Sequence, residues 1–142
     1  MADPLSIAAS VVGLVAAAVH VSKAISELRH LGELPRRIYT LKNEVSDFEA
    51  VLRQVEDALN QQTLVPDNEQ GSLEPILNRT KGHLADLVKA LHRFEDACKG
   101  SKIKIIANSA IWLRYRTIFQ RSHEDIRSVK TTLALMLGAS NS

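Results

Sequence analysis

Apolar positions recur along residues 34–59 with the period of one helix face. Alternating steps of four and three residues separate them, a heptad pattern that a β-strand cannot place on one side. The positions are Leu34, Ile38, Leu41, Val45, Phe48, Leu52, Val55 and Leu59. The pattern predicts an amphipathic helix over about residues 34–60 and is the clearest periodic signal in the chain.

Three further helices are predicted around this one. The first covers about residues 4–30, because Asp3 and Pro4 are a favoured N-cap and first helical residue, and Gly32 is its expected stop. A third helix over residues 73–99 begins after Ser72, and the last covers residues 103–137. No segment alternates like a strand. The chain is therefore predicted to be all-α, an antiparallel bundle of four or five helices forming a single domain over residues 1–142.

The composition adds that the core is aliphatic, since hydrophobic residues make up 45% of the chain and aromatic residues only 4%. In the last helix, Trp112, Tyr115 and Phe119 share the apolar stripe, while Arg114 and Arg116 alternate with them. Aromatic and basic side chains interleaved in this way can stack on nucleic acid. The helical spacing favours core aromatics beside solvated arginines, so no nucleic acid partner is predicted.

Charge is uneven along the chain although the net charge is only +2. Residues 44–74 carry eight acidic residues and one basic residue, whereas residues 99–130 carry eight basic residues and two acidic ones. Two interpretations remain open. The segments can be neighbours that attract each other within the bundle, or the basic segment can face anionic lipid or a partner. Under the second interpretation the candidate lipid contacts are Arg114, Arg116 and Arg121.

The first helix is unusual because residues 4–22 contain no Lys, Arg, Asp or Glu. As a helix this run is about 28 Å long, close to the roughly 30 Å hydrocarbon core of a bilayer. Its many small side chains make it a poor permanent anchor, and no basic residue precedes it as in a secretory signal. Ala9, Gly13 and Ala17 recur every fourth residue and predict close helix packing. The helix is expected to be buried on all sides in the resting bundle, and a functional interpretation adds a second state in which it leaves the bundle for lipid.

Residues for catalysis or metal binding are not apparent in the sequence. There is no glycine-rich phosphate loop, and the five histidines are scattered without the spacing of metal ligands. The single cysteine, Cys98, lies on an apolar helical stripe, which favours an inert core thiol over a nucleophile. We therefore expect a protein that is not an enzyme and that needs neither a metal ion nor a cofactor.

Several segments resemble the fungal HeLo-like domain, which stands at the N-terminus of NOD-like receptors and other STAND proteins. The opening MADPLSIAASVVGLVAAA (residues 1–18) is similar to the start of that family. LKNEVSDFEAVL (residues 41–52) is similar to its second helix. Trp112, within Ile111-Trp-Leu113, and SVKTTLAL (residues 128–135) continue the likeness over nearly the whole chain.

The resemblance implies a cell-death effector bundle of a receptor-like protein, acting in heterokaryon incompatibility or immunity. Its N-terminal helix would target the membrane after homo-oligomerisation, so the protein is expected in the cytoplasm at rest and at the plasma membrane when active. By position, the membrane-active side chains would be Leu5, Ile7, Val11, Val12, Leu14, Val15 and Val19. The expected partners are further copies of the chain and membrane lipids, and the chain is expected to be the N-terminal domain of a longer protein. The rival interpretation is an adaptor or autoinhibitory bundle that never enters lipid.

Overall fold

Four α-helices make up nearly all of the computed structural model, which describes residues 4–61, 73–101, 106 and 109–141. Helix α1 is Pro4–Glu27 and continues into a 3₁₀ turn, Leu28–Leu31; α2 is Arg36–Asn60, α3 is Leu73–Ser101 and α4 is Ala110–Asn141. No strand occurs in these ranges. The predicted all-α bundle is confirmed, with four long helices. The predicted caps Asp3 and Ser72 and the residues 62–72 lie outside the described part.

The link between α1 and α2 ends one helix and starts the next within a few residues. Gly32 has φ of 95°, a backbone conformation that side chains with a Cβ rarely adopt, and its N–H donates to the Arg29 carbonyl at 3.1 Å. Pro35 then precedes α2, and its carbonyl accepts from the N–H of Ile38 at 3.0 Å. The predicted stop at Gly32 is confirmed.

The boundaries of α3 and α4 differ from those predicted. Helix α3 runs through Gly100 to Ser101, and α4 runs through Gly138 to Asn141. Neither glycine takes the positive φ that ends a helix, so neither stops it. Helix α4 begins at Ala110, not near residue 103, because Ser109 caps it: the Ser109 hydroxyl accepts from the Trp112 N–H at 3.0 Å.

The helices occupy the corners of a square. Helix α1 packs against α2 and α3, and α4 packs against the same two, so α1 and α4 face each other across a diagonal. Successive helices are antiparallel, as predicted. The hairpin of α1 and α2 packs against the hairpin of α3 and α4. Because Ser10 contacts Asn78 and His30 contacts Glu95, α1 and α3 run parallel to each other.

The core lies between the four helices and contains the predicted stripes. Seven of the eight heptad positions are buried, from Leu34 to Val55, and Leu59 packs against them half-buried. At one end, Phe94 of α3 contacts the rings of Trp112, Tyr115 and Phe119 edge to face at 5.5–6.0 Å between centroids. The prediction that these aromatics belong to the core is confirmed.

Candidate functional site

Helix α1 has two apolar faces, of which only one is buried. Ile7, Val11, Leu14 and Val15 point into the core, together with Ala18 and Val21. Val12 and Val19 lie on the outer face and are 52% and 41% exposed. The expectation of burial on all sides is therefore wrong, because a helix at a corner of a square bundle has only two neighbours. The side chain of Leu5 lies outside the described part.

Of the small residues of α1, Gly13 has a side chain and not another backbone as its nearest neighbour. Ala9 is exposed, and Gly13 and Ala17 are half-buried on the side that faces α3. A Cβ added to Gly13 would lie 3.1 Å from the Nζ atom of Lys81, and no neighbouring backbone atom is among its three closest contacts. What approaches Gly13 is thus the tip of a flexible lysine side chain.

An open groove follows from these small side chains. It lies between α1 and α3, has a volume of about 420 Å³, and is mainly apolar. We call it the α1–α3 groove; it is lined by Gly13, Ala16, Ala17, His20, Lys81, Leu84, Ala85, Val88 and Lys89. Four of these residues are Gly or Ala, and where the two helices carry such short side chains they leave space that larger residues would fill.

The groove has a positive electrostatic character. Lys81 and Lys89 project from α3 and His20 from α1, and none of the three forms an ion pair within the described residues. No acidic side chain of the described chain lines the groove. The sequence did not predict this site. Two lysines eight residues apart in α3 indicate a groove only when the position of α1 beside them is known.

Polar contacts attach α1 to α3 at both ends of the shared face. The Ser10 hydroxyl donates to the Asn78 side-chain oxygen at 3.5 Å. In the 3₁₀ turn, His30 Nε2 lies 2.8 Å from Glu95 Oε2, and Lys99 Nζ lies 3.6 Å from Glu95 Oε1. The hydrogen bond with His30, supported by the charge of Lys99, holds the pKa of Glu95 below its usual value.

The predicted lipid-contacting arginines lie away from α1. Arg114, Arg116 and Arg121 are all exposed on α4, at the corner diagonally opposite α1. Arg114 and Arg121 are seven residues apart and so share one outward face. None of the three forms an ion pair with a described residue. The structure therefore does not bring the basic candidates and the candidate membrane helix together on one surface.

The acidic and basic segments do meet inside the bundle, between α2 and α4. Glu44 is 9% exposed, and its Oε1 atom lies 3.0 Å from Lys130 Nζ. The Oε1 atom accepts no hydrogen bond of good geometry, so the attraction to Lys130 is ionic. His123 Nε2 lies 3.9 Å from the other carboxylate oxygen. This contact supports the interpretation that the two segments attract each other as neighbours.

Reactive side chains are few in the described part of the chain. Burial raises the pKa of the Cys98 thiol, which is the condition of an inert core cysteine and not of a nucleophile. No group of three or more His, Cys, Asp or Glu side chains in the described ranges is placed to hold a metal ion. One helical stretch among the described residues, Ser6–Leu31, is long and apolar enough to cross a membrane, a test that core helices of soluble proteins also pass.

Comparison with known proteins gives one family. The family model described as the N-terminal part of the pigment biosynthesis cluster protein PigL matches residues 2–139. No curated protein and no solved structure matches the chain significantly.

Proposed function

The chain belongs to the PigL N-terminal family, and for this member we propose a function as a non-enzymatic effector bundle whose helix α1 leaves the fold for a membrane. The proposal follows the likeness of residues 1–18 to the HeLo-like domain. In it, the domain is cytoplasmic at rest, self-associates on activation and then acts at the plasma membrane to trigger cell death in a fungal cell.

One observation carries the proposal: α1 is charge-free from Pro4 to Ser22 and yet incompletely buried. Only 39% of its most apolar 18-residue stretch is buried inside the bundle. A helix that served only as a core element would be expected to carry polar residues on its outer face. Val12 and Val19 instead expose apolar surface that gains free energy on transfer into lipid.

Release of α1 has a cost that membrane contact alone does not offset. Ile7, Val11 and Leu14 are fully buried, and burial of each such side chain contributes about 1.5–3 kcal/mol. Leaving the bundle also uncovers the faces of α2 and α3 that pack on α1. Self-association would offset this cost, because neighbouring copies raise the local concentration of apolar surface and supply replacement contacts.

The exposed arginines of α4 supply an attraction to anionic lipid before α1 moves. Each basic residue near such a surface contributes about 1 kcal/mol at low ionic strength, and salt screens the effect. Because α4 stands opposite α1, the arginines would hold the intact bundle at the surface and would not guide α1 directly.

Binding to vesicles of phosphatidylcholine and phosphatidylserine tests this step. Replacing Arg114, Arg116 and Arg121 together by Gln should weaken vesicle binding by about 3 kcal/mol at low salt, with a smaller effect at high salt. Arg53→Gln is the control, since Glu49 already neutralises that guanidinium at 3.1 Å. Equal binding by the triple variant and the wild type would remove the arginines from the mechanism.

The alternative function is an adaptor bundle that binds a partner and never enters lipid. The α1–α3 groove favours it, because an open apolar groove with charged edges is a common form of binding site. Dye release from vesicles separates the two functions: an adaptor leaves the dye inside at every protein concentration.

A further inference from the structure

The α1–α3 groove combines an apolar floor with an ammonium group placed beside it. The floor contains the buried Leu84 and the half-buried Gly13, Ala17 and Val88, and the exposed Ala16 and Ala85 lie at the edges. Lys81 is an exposed side chain, but its Nζ lies 3.1 Å from where a Cβ of Gly13 would be, so its ammonium group is held beside the groove. No described carboxylate pairs with Lys81.

We propose that the α1–α3 groove binds a free, single-chain anionic amphiphile, that is, a molecule with one carboxylate and one alkyl chain. The carboxylate pairs with the ammonium of Lys81, and the alkyl chain lies along Ala17 and Ala85 towards Val88. The site is a property of the folded bundle at rest and does not depend on the membrane function proposed above.

The charges that line the groove favour a negatively charged ligand. Lys81, Lys89 and His20 are the titratable groups of the lining, and no acidic side chain of the described chain offsets them there. A carboxylate entering the groove is attracted by the two exposed lysines, and burial of its alkyl chain against the apolar lining adds to this attraction. A cationic amphiphile of the same length would meet repulsion from both lysines.

The groove has the size of a small-molecule site. Lys81 and Lys89 are eight residues apart on α3, which sets the groove length at about 12 Å. The groove volume of about 420 Å³ falls within the range of small-molecule sites, roughly 300–1,000 Å³.

Calorimetric titration of the full chain with dodecanoate, below its micelle concentration and without vesicles, tests the proposal. Dodecan-1-ol and dodecyltrimethylammonium carry the same alkyl chain without the negative charge. Dodecanoate should bind saturably with one site per chain, and at least ten-fold more tightly than either of the other two. Equal binding of all three, or no saturable binding of dodecanoate, would overturn the proposal.

Substitutions inside and outside the groove test where dodecanoate binds. Lys81→Gln should weaken dodecanoate binding at least ten-fold and Lys81→Arg should retain it, while Ala17→Leu should abolish binding by filling the floor. Lys42→Gln and Ala50→Leu on α2 are the matched controls and should bind like the wild type. Wild-type affinity in both Lys81→Gln and Ala17→Leu would place the ligand elsewhere and contradict the assignment.

Amide shift mapping on the wild-type chain gives a readout that needs no variant. The largest dodecanoate-induced shifts should cluster at Gly13, Ala17 and Ala85. Shifts confined to the groove between α2 and α4, around Ala50 and Leu135, would overturn the proposed position.

Discussion

Glu44 shows how a single charged residue connects two helices of the bundle. Its carboxylate is nearly buried between α2 and α4, and Lys130 and His123 are its basic neighbours there. Removing water from a carboxylate is costly, so the pairing with Lys130 mainly limits a cost that burial has already imposed.

Replacing Lys130 by Met should therefore lower the free energy of unfolding by about 1–3 kcal/mol, because the carboxylate of Glu44 loses its ionic partner at 3.0 Å. The double variant Glu44→Leu with Lys130→Met should recover most of that loss, since an apolar pair leaves no buried charge. Urea denaturation measures both. A single variant as stable as the wild type would show that Glu44 is solvated.

Truncating buried side chains in the heptad stripe of α2 should lower the free energy of unfolding as other core truncations do. Phe48 and Leu52 are fully buried, so Phe48→Ala should cost about 3–5 kcal/mol and Leu52→Ala about 2–5 kcal/mol. Tyr39→Ala is the control on the same helix, at a position 49% exposed, and should change stability by less than about 0.5 kcal/mol. Denaturation curves in which all three variants coincide would contradict the packing of α2.

For single residues, the sequence predicted which apolar side chains are buried better than it predicted the partners of polar side chains. The steps of four and three from Leu34 to Val55 identify the core because spacing alone places side chains on one helix face. Glu44 adjoins Val45 at the edge of that stripe, and nothing local shows that Lys130, 86 residues later, will neutralise it. Partners distant in sequence are set by tertiary packing and not by periodicity.

Among the elements, α1 illustrates the limit of reading burial from composition. Its residues are uncharged on every side, so the sequence predicted burial all round and did not distinguish Val12 and Val19 from Val11 and Val15. The position of α1 at a corner of the square decides which face is covered. Of the small residues predicted for close packing, Gly13 and Ala17 line the α1–α3 groove.

The 3₁₀ turn after α1 is tied to α3 by Glu95, and that contact gives a pH dependence. A carboxylate whose folded pKa is lowered contributes stability that is present above its unfolded pKa, about 4.3, and is lost as the pH falls through the folded value. Glu95→Gln should therefore be less stable than the wild type at pH 7, and the gap should close on acidification below about pH 4.

Denaturation of wild type and variant at a series of pH values checks this. Glu33→Gln is the control, because Glu33 is exposed and forms no ion pair with a described residue. A gap between wild type and Glu95→Gln that stays constant from pH 7 to pH 3 would show that the loss does not arise from the ionised carboxylate.

For the whole molecule, the number and type of helices were predictable but their neighbours were not. Caps and stripes mark four helices in the chain, whereas the pairing of α1 with α3 and of α2 with α4 depends on how two hairpins pack. The α1–α3 groove and the separation of the arginines from α1 both follow from that pairing. This is why the sequence named the candidate residues of α1 and α4 without showing that they lie at opposite corners.

The central claim is that α1 must separate from α3 before the bundle acts on a membrane. Ser10 and Asn78 are in contact across these helices at 3.5 Å, so cysteines at both positions can be joined by a short reducible cross-linker. The experiment uses Ser10→Cys and Asn78→Cys in a Cys98→Ala background, since Cys98 is the only native cysteine. Each single-cysteine variant treated with the same reagent serves as the control.

Dye release from anionic vesicles, measured before and after reduction of the cross-link, is the most direct measurement. The account predicts that the cross-linked protein releases no more dye than vesicles alone and that a reductant restores release to the level of the untreated double variant. Release by the cross-linked protein equal to that of the reduced protein, or no release by either form, would contradict the account.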